Sequence, residues 1–79
     1  MNNERRKRLE KAIDLIEQAR DIIDYVRDDE VMAYENLPES LQYSEKGEQM
    51  EAYADTLDNI CSDIDDVVDN IQDVIDGNI

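Results

Sequence analysis

Residues 50–75 read MEAYADTLDNICSDIDDVVDNIQDVI. Apolar residues recur there at nearly every third and fourth position: Met50, Tyr53, Ala54, Leu57, Ile60, Cys61, Ile64, Val67, Val68, Ile71, Val74 and Ile75. The residues between them are mostly Asp and Glu. This gives about four heptads with apolar a, d and e positions, the spacing of a long helix that buries one wide face.

The same spacing runs through the first half of the chain. Leu9, Ala12, Ile13, Leu15, Ile16, Ala19, Ile22, Ile23 and Val26 form a second wide stripe, and a helix is expected over about residues 3–35. Arg27, Asp28, Asp29 and Glu30 interrupt the pattern, which resumes in a different phase at Val31, Met32, Ala33 and Tyr34. A bend or a change of packing partner is therefore expected near Asp28.

Residues 36–44, from Asn36 to Ser44, connect the two stripes. Pro38 disfavours α conformation at Leu37 and suits the first turn of a short new helix. Ser44 is an N-cap candidate, and Glu45 and Glu48 lie near the positive end of the helix it would start. That helix should run over about residues 45–76 and stop at Gly77, a usual C′ residue. Two helices on the order of 45 Å long with a compact connector fold back on each other. The expected architecture is a single all-α domain, residues 1–79, forming an antiparallel two-helix hairpin with a short helical connector. Both stripes are wider than one neighbour can cover, so a homodimer closing into a four-helix bundle is expected.

Composition narrows the function classes. The chain of 79 residues has no Phe, Trp or His, two Gly and one Pro, and a formal net charge of −14. A turn-rich β fold is excluded. Nucleic acid and anionic membrane surfaces are poor partners, because both need a surplus of Lys and Arg. The single Cys61 lies on the apolar stripe and has no intramolecular disulfide partner, which suits a reducing compartment. The N-terminus lacks the apolar stretch of a signal peptide, and a cytoplasmic location is expected. The charge is uneven. Residues 1–11 sum to +3, residues 12–35 to −6, residues 36–47 to −1 and residues 48–79 to −10. In an antiparallel hairpin the basic residues 5–11 are expected beside Asp69, Asp73 and Asp76.

Asp63, Asp65, Asp66 and Asp69 lack the Gly and the terminal Glu of a calcium loop and fall inside a helical pattern. A di-iron bundle needs histidine, and paired catalytic carboxylates need burial. Cys61 has no histidine to activate it. Neither metal site, cofactor nor catalysis is expected. Two surfaces could bind a partner. Glu51, Asp55, Asp58, Asp65, Asp66, Asp69, Asp73 and Asp76 project from the second helix away from its apolar stripe. Like charges at this spacing cost helix stability, and a rigid carboxylate row imitates the phosphates of a duplex. Tyr34, Leu37, Leu41, Tyr43 and Tyr53 cluster near the connector, as an end seal of the core or as a second patch.

The stretch from Tyr34 to Glu51, with its Asn36-Leu37-Pro38-Glu39 connector and Ser44-Glu45-Lys46-Gly47-Glu48 helix start, resembles small uncharacterised proteins of phages and mobile elements of Gram-positive bacteria. There, too, the connector joins two acidic amphipathic helices. The resemblance implies a phage or prophage origin and an action on host machinery, and it assigns no residue a role. The expected function is a non-catalytic one: binding a basic host protein, such as a nuclease or DNA-binding protein, through the acidic face as a DNA mimic. The alternative is a purely structural self-assembling module.

Overall fold

The computed structural model describes residues 1–78. Three helices follow in order: α1 (Asn3–Glu35), α2 (Glu39–Gln42) and α3 (Glu45–Asp76). The two long helices pack along each other and α2 packs on the start of α3, giving the antiparallel hairpin that the two stripes predict. The Cα extents of 58 × 20 × 12 Å describe one layer of helices.

Each boundary has a local cause. The Asn2 Oδ1 accepts from the Arg5 N–H at 2.9 Å and starts α1. Ser44 Oγ accepts from the Gly47 N–H at 3.3 Å and donates to the Leu41 carbonyl, tying the start of α3 to the connector. At the other end, Gly77 takes the left-handed conformation at φ 74°. Its N–H donates to the Val74 carbonyl, while the Asn78 N–H donates to that of Asp73, which is a Schellman stop.

Two polar side chains close the hairpin ends. Gln42 Nε2 donates to the carbonyls of Tyr34 and Leu37, each at 3.3 Å, and so caps the C-terminus of α1 from the connector. Arg6 Nε donates to the Ile75 carbonyl at 3.2 Å, at the negative end of α3. Gly47 is buried beneath the connector. A Cβ there would lie 2.5 Å from the Leu41 carbonyl oxygen and clash with that of Gln42.

α1 runs without a break through Asp28. Arg27 occupies the inward slot where an apolar residue was sought, so the phase carries through from Ile23 to Val31 without a change of partner. One expectation needs correction. The basic tip does not pair with Asp69, Asp73 and Asp76: among the described residues, all ion pairs belong to Arg20 and Arg27. Arg6 donates to the Ile75 carbonyl instead. Arg20 sits opposite Asp65 and Arg27 opposite Asp58. On that register α3 ends about level with Leu9, and the first turns of α1 project past it.

Candidate functional site: an acidic face

The inward positions of α1 are Arg6, Leu9, Ile13, Ile16, Arg20, Ile23, Arg27, Val31 and Tyr34. Those of α3 are Gly47, Met50, Ala54, Leu57, Cys61, Ile64, Val68, Ile71 and Ile75. Every one is buried or half-buried. A residue that follows an inward one lies about 100° further round its helix. Because the helices run in opposite directions, that rotation carries both sets of followers to the same broad face of the hairpin.

On α1 the followers include Glu10, Asp14, Glu17, Asp21, Asp24, Asp28 and Glu35. On α3 they include Glu48, Glu51, Asp55, Asp58, Asp65, Asp69 and Asp76. Seven carboxylates from each helix thus place fourteen of the chain's 22 on one face. Six of the eight sequence-designated carboxylates lie in the α3 row. Asp66 and Asp73 stand one residue further round, on the outer edge; all eight are exposed. The seven α1 carboxylates were not foreseen as part of this face. The signal was present in the sequence, since each directly follows an inward position, but the antiparallel register was needed to use it.

Two arginines stitch the rows together. Arg27 Nη1 lies 2.5 Å from Asp58 Oδ1 across the hairpin, and its Nη2 lies 2.8 Å from Asp24 and 3.0 Å from Asp28. Hydrogen bonds to Asp28 and Asp58 hold its guanidinium still further above its ordinary pKa, against the opposing effect of desolvation. Arg20 Nη2 donates to Asp65 Oδ2 at 3.0 Å. Its Nε lies 2.6 Å from Asp65 Oδ1 without a hydrogen-bonding angle, so the contact there is electrostatic. The Asp65 bond also raises the Arg20 pKa. Asp58 and Asp65 therefore serve the fold, and Asp76 accepts from Gln72 Nε2 at 3.0 Å. Asp55, Asp66, Asp69 and Asp73 have no such partner among the described residues and are free to meet another molecule.

The five residues of the tyrosine patch differ in burial. Tyr34 and Leu37 are half-buried and help close the connector end, whereas Leu41, Tyr43 and Tyr53 are exposed. Burial, and next the charge of Glu51, raises the Tyr34 pKa. Among the described residues no group of three or more Cys, Asp or Glu is arranged to hold a metal ion. No described helix is long and apolar enough to cross a membrane.

The fold and this face define a helical hairpin with one strongly acidic side. No known protein family, characterised protein or solved structure matches the chain.

Proposed function

We propose that the protein is a non-catalytic binding module whose acidic face engages a basic host protein, as a nucleic-acid mimic that occupies the groove of a nuclease or DNA-binding protein. The observation that supports this is the double row: two lines of carboxylates, on two helices, held side by side by Arg20 and Arg27. Fixed charges of one sign on a rod steer a basic partner over long range and make binding fall as salt rises. The resemblance of the connector to phage and mobile-element proteins supports a host target.

Magnitude matters here. A net charge of −14 over 58 Å is about one charge per 4 Å, against one per about 1.7 Å for a duplex. One copy is thus a dilute mimic.

Capture of basic proteins from a Gram-positive bacterial lysate at low salt, followed by elution with duplex DNA, tests the reading. DNA and salt should each release the bound nuclease or DNA-binding protein. A variant with Asp55, Asp66, Asp69 and Asp73 all changed to Lys should not capture it. If the variant captures the same proteins, or DNA fails to compete, the mimic reading is wrong. The second reading, a structural self-assembling module, is favoured by the exposed apolar side of the hairpin. It requires that no heterologous protein be retained at any salt.

A further inference from the structure

The residues that precede the inward positions occupy the face opposite the carboxylates, by the same rotation in the other sense. That face contains Leu15, Ile22 and Val26 of α1 and Tyr53, Ile60 and Val67 of α3, with exposures of 36–64%. It has two carboxylates, Glu30 and Asp63, against Arg5, Arg8 and Lys46. In a protein of net charge −14, this is the surface on which two copies can meet without like-charge repulsion.

We propose that this apolar face binds a second copy of the chain, with the two hairpins running in opposite directions, about a two-fold axis at the level of Ala19 and Val67.

The area supports an occupant of that size. A compact monomer of 9.2 kDa exposes about 4,900 Å², whereas this chain exposes 5933 Å². The excess is about 1,000 Å² per chain, and two such faces together approach the total buried in a stable interface, about 1,200–2,000 Å². A single helical layer also lacks the second layer that closes a core.

The order of residues supports the direction. A two-fold contact is isologous, so each stripe must complement itself when reversed. On α1, reversal about Ala19 sets Arg8 level with the partner's Glu30 and Leu15 within one residue of the level of the partner's Ile22, with small Ala19 at the crossing. On α3, reversal about Val67 sets Ile60 level with the partner's Val74 and Asp63 within one residue of the level of the partner's Asn70. In the register fixed by Arg20 and Asp65, Ala19 lies level with Asp66 and Val67, so one axis serves both helices.

The acidic faces then point outward on opposite sides. If they act as proposed above, two copies over nearly the same length carry about one charge per 2 Å, close to the duplex value of about 1.7 Å. The dimer does not depend on that reading.

Sedimentation equilibrium of the full chain, with helicity followed by circular dichroism, tests the interface. The native chain should sediment as two copies. Ile22→Glu should give a helical monomer. Arg8→Glu should weaken association at least tenfold, and Arg8→Glu with Glu30→Arg should restore it. In a Cys61→Ala background, Ala19→Cys should form a disulfide between copies, because the axis passes beside it. A native monomer at high concentration overturns the proposal, as does a dimer indifferent to Ile22→Glu. A dimer that fails to cross-link through Ala19→Cys overturns the reversed arrangement. DNA-competed capture by a stable monomer would refute the dimer and leave the acidic-face reading standing.

Discussion

The two broad faces of this hairpin are built from the same two helices, two residues apart in phase, and they have opposite chemistry. Followers of the inward positions include fourteen carboxylates; the residues that precede those positions include two. A rotation of about 200° separates a surface suited to cations from one suited to aliphatic packing. The contrast shows that this sequence assigns roles by position relative to the inward stripe, and that partner choice is a property of faces, since no single residue carries it.

The harshest way to break the contrast is to move a carboxylate by one residue. Ala54 is buried in the seam and Asp55 beside it is exposed. Ala54→Asp puts a carboxylate among Leu57, Cys61 and the facing residues of α1 without a partner. An uncompensated buried charge costs about 3–5 kcal/mol, a large share of the total stability of a domain this size, about 4–12 kcal/mol. Chemical denaturation should show the variant largely unfolded at room temperature. Asp55→Ala should leave the midpoint unchanged or raise it, because it removes one charge from a self-repelling row. Equal losses for the two variants would contradict the assignment of the faces.

A smaller effect tests what holds the acidic face together. Arg27 serves Asp24, Asp28 and Asp58 at once, so Arg27→Gln leaves three neighbouring carboxylates without their cation. The urea midpoint of this variant should fall clearly at low salt and recover toward the native value at about 0.5 M salt, where screening acts within a few ångströms. A loss that ignores salt would mean that the aliphatic stem of Arg27 in the seam matters more than its charge.

Much of this was legible in the sequence. The stripe of residues 50–75, the Ser44 cap and Gly77 each act through neighbours within a turn, and local chemistry sets where α1 and α3 begin and end. The features that sequence left hidden are those that depend on register. Arg27 read as a break in the α1 stripe because its charge masks a position that its stem can fill. The basic tip looked like the counter-charge of Asp69, Asp73 and Asp76, but Arg5 and Arg8 precede inward positions and so lie on the opposite face, and Arg6 donates to the Ile75 carbonyl. Gln42 had no reading at all, since its acceptors, Tyr34 in the last turn of α1 and Leu37 in the connector, lie five to eight residues earlier. The acidic row was seen on α3 alone, because joining the α1 carboxylates to it requires the antiparallel pairing.

The finest probe of the contrast is Tyr34, an inward residue whose surroundings include the acidic face. Burial first, and the negative charge of Glu51 next, raise its pKa above the ordinary 10.0. The folded state therefore holds the phenol proton more tightly than the unfolded chain does. Linkage fixes the sign: this contribution to stability is fully present below pH 10 and is lost as pH rises from about 10 through the folded value. In an absorbance titration, Tyr34→Phe should remove a quarter of the phenolate signal of the four tyrosines, and the part removed should lie above pH 10. Glu51→Gln should shift that part back downward by less than the whole displacement, because burial is the larger cause. If Glu51→Gln leaves it in place, the acidic row does not act electrostatically on the seam. Tyr34 would then report burial alone.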